Sequence, residues 1–466
     1  MTSAAAVLLP GFAGTELPDW LAARLRAGLG GVCIFGGNIE SLEQLRRLTS
    51  EIRRANPNAL IAIDEEGGDV TRLYYDQGSP YPGNALLGRI DDLAATGQMA
   101  EAVGWALRDT GVNLNFAPDV DVNSNPDNPV IGVRSFGADA TAVAAHSGAW
   151  VAAHEATGVA VSAKHFPGHG DTALDSHLSL PVIDLPIEAL RERELAPFVA
   201  AIAAGARTIM SSHILLPQLD AAAPATFSRR ILQELLREEL GFEGVIVSDA
   251  LDMVGASGEL GIPEAAVRAI IGGCDLLCIG TDNTDAQLGA IEAALAAAVA
   301  EGRLPADRLD EAAARNLALA ASLAADEATI TVPERIPGEF PLEPTIAAFD
   351  VRPGLVVEEA RTIVALETAA NIAVGAAPWG PAADARIGEG DPLPPVAGQV
   401  VLVGKANHRH AWVRALVETV RASHPSAIVV DMGWPSDDRA FADIATFGAS
   451  RHTSLALEAW LAGATR

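Results

Sequence analysis

Cysteine, aromatic residues and positive charge are all scarce in this chain of 466 residues. The three cysteines, Cys33, Cys274 and Cys278, each fall in an apolar run, which excludes a disulfide scaffold and predicts reduced thiols in the core. Lys and Arg number 32 against 60 Asp and Glu, and the resulting net charge of -28 repels phosphate backbones and anionic membranes. We therefore expect no nucleic-acid partner and no membrane partner.

Long apolar runs are also missing. No stretch reaches membrane-spanning length, and the N-terminal segment 1–10 lacks the basic residues of an export signal. These absences predict a cytoplasmic location. With 49% hydrophobic and 20% charged residues the chain is globular, and its length exceeds what one core usually supports, so we expect two domains.

Three signatures of common enzyme classes are absent as well. No Gly-x-Gly-x-x-Gly follows the first strand-like run, no His-Glu-x-x-His is present, and no Gly-x-Ser-x-Gly marks a serine nucleophile. We therefore expect no cofactor and no bound metal.

The first 325 residues alternate short apolar runs with longer amphipathic segments. The eight strand-like runs are Ala5 to Leu9, Gly31 to Phe35, Leu60 to Ile63, Val112 to Phe116, Val159 to Ala163, Thr208 to Met210, Val245 to Val247 and Leu276 to Ile279. Helical segments between them include Ser41 to Ala55, Asp139 to Thr157, Pro186 to Ala204 and Ser228 to Leu240. Eight such units predict an α/β fold, a (β/α)8 barrel over residues 1–325, with a doubly wound sheet as the alternative.

A second domain is predicted beyond this barrel. Four prolines (Pro333, Pro337, Pro341 and Pro344) indicate a semi-rigid linker over residues 326–345. Strand-like runs then follow at Ile372 to Val374, Val400 to Val403 and Ala427 to Val430, with a helical pattern from Ala411 to Ala422. These elements predict a small α/β sandwich domain over residues 346–466.

Polar side chains occupy the ends of the predicted barrel strands, where active sites of this fold lie. They are Asp64 after the third strand, Asp119 and Asp121 after the fourth, Lys164 and His165 after the fifth, Ser211, Ser212 and His213 after the sixth, and Asp249 after the seventh. After the fifth strand, Pro167, Gly168 and Gly170 prevent a helix and leave a polar loop. This loop is a candidate active site.

Asp249 and the loop residues Asp175 and His177 are the candidates for chemistry. A short carboxylate leaving a buried strand is held rigidly, as a nucleophile requires, although a helix N-cap is an equally good interpretation of Asp249. Asp175 and His177 project to the same side of an extended loop, so a carboxylate can orient an imidazole for acid/base work. A surface hydrogen bond is the competing interpretation of that pair.

Five further side chains are candidate ligand contacts. Asp64, Lys164 and His165 step off adjacent strands, so they can converge above the barrel mouth and bind sugar hydroxyls. Arg72 and Arg134 are predicted to join them, because a guanidinium donates paired hydrogen bonds. For any single arginine, a surface salt bridge is the commoner role.

Three motifs in order closely resemble glycoside hydrolase family three, and more narrowly its β-N-acetylglucosaminidase branch. They are Ile63 to Gly68, Lys164 to Thr172 with Asp175-Ser176-His177, and Val247-Ser248-Asp249. The resemblance covers the whole first domain. It implies a retaining double displacement with Asp249 as the nucleophile, His177 as the acid/base and Asp175 as its partner, and it implies sugar binding by Asp64, Arg72, Arg134, Lys164 and His165.

The activity that this resemblance implies is exo-acting hydrolysis of terminal N-acetylglucosamine from muropeptides or chitooligosaccharides, in peptidoglycan recycling. Two features depart from the family pattern. Asp69 stands where Arg usually follows Glu-Gly-Gly, which predicts an altered charge at the mouth, and the second domain is shorter than in many members. The segment Thr446 to Arg451, by contrast, looks like the family's usual closing segment.

Three other functions remain open. A neutral imidazole does not repel phosphate, so phosphate can replace water as the acceptor and make the protein a phosphorylase. The barrel can also be a catalytically silent sugar-binding protein. A zinc hydrolase using His165, His169 and His177 is the third alternative, weakened by the irregular spacing of these residues. A monomer and a homodimer are both compatible with the sequence.

Overall fold

The computed structural model describes residues 3–172, 174, 180–258, 260–334, 340–368 and 373–464. The chain forms two compact units, which are not continuous in sequence. The first comprises Met1–Glu65, Leu93–Val122 and Asp139–Pro337, and the second comprises Glu66–Asp92, Asn123–Ala138 and Gly338–Arg466. Two segments within the span of the predicted first domain therefore group with the C-terminal part of the chain.

Eight parallel strands form the barrel of the first unit. They are β1 (Leu8–Pro10), β2 (Gly31–Ile34), β3 (Leu60–Ile63), β4 (Leu114–Asn115), β5 (Ala160–Phe166), β6 (Thr208–Ser211), β7 (Val245–Ser248) and β8 (Leu276–Gly280). Strands β2 to β8 pair in chain order, and β8 pairs with β1. The Gly30 N–H donates to the Ala5 carbonyl oxygen (3.0 Å) just before β2 and β1, so the sheet is nearly closed. The predicted barrel is confirmed, although Ser3–Ala6 is helical and β1 begins only at Leu8.

Fifteen α-helices lie among the described residues. They are α1 (Ser3–Ala6), α2 (Asp19–Arg26), α3 (Leu42–Ala55), α4 (Asn84–Ile90), α5 (Leu93–Asp109), α6 (Ala140–Glu155), α7 (Ile187–Ala189), α8 (Ala196–Ala203), α9 (Val254–Ser257), α10 (Ile262–Gly272), α11 (Asp285–Ala300), α12 (Ala306–Thr329), α13 (Leu342–Ala347), α14 (Ala411–Ser423) and α15 (Arg451–Gly463). Ser41 and Asp139 cap α3 and α6 by accepting backbone N–H groups. The predicted helix 186–204 is instead broken by a π-helical turn at Leu190–Glu194, and Arg230–Glu239 is also π-helical.

The barrel interior is filled by apolar side chains and closed by a helix. Leu319, Ala320 and Leu323 of α12 pack in one buried cluster with strand residues such as Leu60 and Val247. Since α12 continues to Thr329, the predicted linker 326–345 begins inside this helix. The three cysteines are buried free thiols, as the sequence predicts.

The second unit is a six-stranded α/β sandwich. Its strands are β9 (Asp350–Val351), β10 (Arg361–Leu366), β11 (Ala385–Ile387), β12 (Gln399–Gly404), β13 (Ile428–Asp431) and β14 (Ile444–Ala445), in the order β11-β10-β12-β13-β14-β9. All neighbours pair in parallel except β14 and β9. Alternate residues of β12 enter clusters on opposite faces of the sheet, one with α14 and one with α15.

One predicted strand of this unit is wrong. Of the run Ile372 to Val374, Ile372 lies outside the described residues and Val374 lies in a turn. The strand of that region is β10, whose apolar run Ile363 to Leu366 the prediction did not include. Within the described ranges, no helix combines the length and hydropathy that crossing a bilayer requires.

Candidate active site

Asp64 and Lys164 lie at the carboxyl ends of β3 and β5, and their side chains meet. The Lys164 ammonium donates to Asp64 Oδ1 at 2.7 Å. The lysine side chain is buried and the carboxylate is 20% exposed, so the ion pair has one accessible partner at the barrel end. Such a pair offers both a hydrogen-bond donor and an acceptor to a hydroxylated ligand.

Asp121 orients His165. Its Oδ2 lies 2.7 Å from His165 Nδ1, and its Oδ1 accepts the His169 N–H at 2.7 Å. Since a carboxylate only accepts, Nδ1 carries the proton, and in a neutral ring Nε2 is then an acceptor. Asp119, in turn, accepts the Asp121 N–H at 3.0 Å. The end of β4 therefore fixes both the orientation and the tautomer of the imidazole at the end of β5.

Asp119, Asp121 and His165 form the one group, among the residues that the structure describes, with the geometry of a metal site. Ligand atoms of Asp119, Asp121 and His165 lie within 4.8 Å of one another, and all three residues are buried. Both Asp121 oxygens already accept hydrogen bonds from the β5 end, an arrangement that needs no cation. That the protein binds no metal stays a prediction, and elemental analysis of the purified protein tests it.

His169 links this cluster to Asp249. Burial lowers the pKa of His169 to about 4, with a further lowering by His165, while the carboxylates of Asp121 and Asp249 oppose the shift. The ring is therefore neutral at pH 7, and its Nδ1 lies 2.8 Å from the Thr172 hydroxyl. Asp249 is thus within electrostatic reach of the end of β5.

Asp249 directly follows β7 and is partly exposed. Its Oδ1 accepts the N–H of Ala250 at 2.8 Å. The competing interpretation of this residue as a helix cap is wrong, because α9 begins only at Val254 and its N-cap position is Met253. The carboxylate therefore points neither into the packed core nor at a helix end.

The predicted dyad, Asp175 and His177, lies outside the described residues. Just before the dyad, Asp171 and Gly168 pack against Arg193 and Glu194. Arg193 donates to Asp171 at 2.7 Å and to Glu194 at 2.6 Å. Gly168, at φ +129°, approaches Glu194 so closely that a Cβ there would lie 2.7 Å from the glutamate Cβ. Burial raises the pKa of Glu194 to about 7, although Arg193 opposes the shift.

Arg72 and Arg134 belong to the second unit. Arg134 is buried and makes a bidentate ion pair with Glu66, at 3.0 and 2.7 Å. Arg72 donates to the Ala373 carbonyl oxygen at 2.8 Å. Neither is an exposed surface salt bridge, which was the competing interpretation of an isolated arginine.

Asp69, the departure from the family pattern, also lies in the second unit. Its carboxylate accepts the Ala449 N–H at 2.7 Å, at the start of α15. Burial raises the pKa of Asp69, and Lys405 opposes that shift. The carboxylate therefore holds the segment Thr446 to Arg451 within its own unit. An arginine at position 69 has only N–H donors and could not accept the Ala449 N–H.

The family follows from a sequence comparison. Residues 16–319 match the model of the glycosyl hydrolase family 3 N-terminal domain. The chain belongs to glycosyl hydrolase family 3. Curated relatives of this family 3 chain include β-hexosaminidase A of Pseudoalteromonas piscicida, 40% identical over 56% of this chain and 48% of the relative. A β-hexosaminidase of Stenotrophomonas maltophilia is 37% identical over 59% of this chain and 83% of the relative. The chain thus spans about half the length of the first relative and most of the second.

Solved structures also resemble the family 3 chain in fold. A glycoside hydrolase family 3 β-N-acetylglucosaminidase from Paenibacillus sp. matches with a TM-score of 0.87 and 30% identity, over 100% of this chain and 96% of that one. A β-glucoside phosphorylase matches with a TM-score of 0.78 at 21% identity, which shows the shared fold alone.

Four buried groups of the family 3 chain were given no individual role from the sequence. They are Glu66, Asp121, Glu194 and His213. Asp121 and His213 stand at strand ends, which was the available signal, but nothing local shows which side chains they contact. Glu66 and Glu194 find their partners only through tertiary packing.

Proposed function

We propose that this family 3 protein is a retaining exo-β-N-acetylglucosaminidase that removes terminal N-acetylglucosamine by double displacement. The observation that carries the proposal is the way in which the Asp249 side chain is held. Its partly exposed carboxylate directly follows a buried barrel strand, and one oxygen is held by the next backbone N–H. A nucleophile fixed in this way can meet a sugar carbon without first being ordered.

The proposed reaction has two steps. In the first, an Asp249 oxygen attacks the anomeric carbon and the bond to the glycosidic oxygen breaks, while His177, oriented by Asp175, gives that oxygen a proton. In the second, His177 takes a proton from water and the water oxygen displaces Asp249, which retains the configuration. The roles of His177 and Asp175 rest on the sequence motif.

Sugar binding is proposed for Asp64, Lys164 and His165, with Arg72 and Arg134 as further contacts. The Asp64–Lys164 pair presents a donor and an acceptor, which suits a sugar hydroxyl. His165, whose Nδ1 lies 2.7 Å from Asp121 Oδ2, is held in one orientation for contact with a hydroxyl or amide group of the sugar.

The names of the relatives support N-acetylglucosamine as the sugar, because they are β-hexosaminidases and a β-N-acetylglucosaminidase. We propose muropeptides or chitooligosaccharides as its source, with a cytoplasmic role in peptidoglycan recycling. A monomer and a homodimer both remain compatible with this role.

Intact-mass analysis followed by peptide mapping, with a slow fluorinated N-acetylglucosaminyl fluoride, tests the nucleophile. We expect one added sugar on the peptide containing Asp249, and none in Asp249→Ala, which also loses release of p-nitrophenol from its β-N-acetylglucosaminide. Asp139→Asn is the control, because asparagine keeps the cap of α6 and leaves the barrel end unchanged. Undiminished turnover by Asp249→Ala would refute the assignment.

The acceptor is tested in the same assay. Hydrolysis yields free N-acetylglucosamine whether or not millimolar phosphate is present. Formation of N-acetylglucosamine 1-phosphate would instead show that phosphate replaces water. Calorimetric binding of N-acetylglucosamine with no turnover of any substrate would indicate a silent sugar-binding barrel.

A further inference from the structure

His213 lies two residues beyond the end of β6, the strand that pairs with β7, which Asp249 directly follows. Its side chain has no exposed surface. A completely buried imidazole next to a nucleophile-bearing strand needs hydrogen-bond partners, and the structure provides one on each ring nitrogen. These partners distinguish the residue from a histidine that only fills space.

The first partner is the backbone that follows Asp249. Nε2 of His213 lies 3.1 Å from the Ala250 carbonyl oxygen. Because a carbonyl oxygen only accepts, Nε2 carries the proton, and in a neutral ring Nδ1 is left to accept. The Thr226 hydroxyl, which donates to the Ser212 carbonyl oxygen at 2.8 Å, lies 2.9 Å from Nδ1 and is the partner of that nitrogen.

The peptide bond between Ala250 and Leu251 is held from both sides. On the β6 side its carbonyl oxygen accepts from His213, and on the β8 side its N–H donates to the Cys278 carbonyl oxygen at 2.9 Å. The N–H of Ala250 itself donates to Asp249 Oδ1 at 2.8 Å. A chain of hydrogen bonds therefore runs from the imidazole through one residue of backbone to the carboxylate.

We infer that His213 is a positioning residue for Asp249, an inference that rests on the proposed function. Its Nε2–H fixes the orientation of the Ala250–Leu251 peptide, and through it the N–H that holds the nucleophile. Loss of this hydrogen bond lets the carboxylate turn away from the line of attack. Small misplacements of reacting groups cost about 10²-fold in rate. Since Asp249 is the group displaced, we expect the loss in the rate of the chemical step and not in sugar binding.

Two amide substitutions test the roles of the two ring nitrogens of His213 separately. In His213→Gln the side-chain amide reaches the position of Nε2 and can still donate to Ala250, whereas in His213→Asn it reaches only the position of Nδ1. We expect His213→Gln to keep kcat within about threefold of wild type and His213→Asn to lose roughly 30- to 100-fold. The inhibition constant of N-acetylglucosamine is expected to stay unchanged in both variants.

The wild type is first labelled at Asp249 with the fluorinated glycoside, so that failure of the proposed function is seen separately. The melting temperatures of both variants are then compared, with kcat for leaving groups of different acidity. A positioning role predicts the same fold loss for every leaving group, since Asp249 and not the acid/base is disturbed. Equal kcat losses in the two variants, or a loss confined to sugar affinity, would overturn the inference.

Discussion

Carboxylates stand at the carboxyl ends of parallel strands in both units, but they hold different groups. In the second unit, Asp431 at the end of β13 accepts three backbone N–H groups, from Ala406, Asn407 and Gly433, at 2.7 to 2.9 Å. In the barrel, Asp121 after β4 also holds an imidazole, and Asp64 after β3 holds an ammonium. A carboxylate that contacts only backbone fixes a loop, whereas one that contacts side chains prepares them for a ligand.

Asp121→Asn should give the largest difference between the carboxylates of the two units. An amide can direct its oxygen to His165 Nδ1 or to the His169 N–H, but not to both, so one of the two contacts is lost. Because a wrong tautomer disables an imidazole, we expect kcat/KM to fall on the order of 10²- to 10³-fold. Steady-state assays with the p-nitrophenyl glycoside measure the loss. Activity close to wild type would show that the barrel carboxylates do not differ in this respect from the carboxylate of the second unit.

His177→Ala should have an effect that depends on the leaving group. A p-nitrophenolate departs without a proton, so we expect a loss of about tenfold, whereas a sugar leaving group needs the acid and should lose on the order of 10²- to 10⁴-fold. The two substrates are compared by kcat/KM. His424→Ala, in the second unit, is the control and should leave both values unchanged. The same loss for both leaving groups would contradict the acid/base role.

The elements of the barrel were predictable because their signal is local. Each barrel strand is a short buried run, and seven consecutive residues of β5 are buried. The polar strand ends were visible for the same reason, so Asp64 and Lys164 could be predicted to converge. The grouping of residues 66–92 and 123–138 with the C-terminal sheet was not predictable, since it depends on contacts between distant segments.

The partners of the site residues were equally hidden. Glu66 meets Arg134 across 68 positions, and Asp121 meets His165 across 44. No periodicity or turn signal identifies such pairs. The π-helical turn at Leu190–Glu194 was missed for another reason, because its residues suit an ordinary helix and only packing adds the extra residue to the turn.

Asp431→Asn makes in the second unit the same change that Asp121→Asn makes in the barrel. The amide keeps one acceptor, so the backbone N–H of Asn407 or those of Ala406 and Gly433 lose their partner inside the second unit. Burying an unsatisfied N–H costs about 1 to 3 kcal/mol. We expect a lower melting temperature with kcat unchanged, measured by thermal unfolding and the glycoside assay. A large kcat loss without destabilisation would place Asp431 among the chemical groups.

Glu194→Gln gives the smallest effect and concerns stability against pH. Burial raises the pKa of Glu194 to about 7, above the 4.5 of an unfolded chain. Between these values the folded protein keeps a proton that the unfolded chain has lost, so the wild type loses stability as the pH rises from about 4.5 to 7. The glutamine variant lacks this titration. Melting temperatures across that range should therefore fall faster for the wild type than for Glu194→Gln, and a constant difference between them would show that the buried carboxyl at the base of the loop does not titrate there.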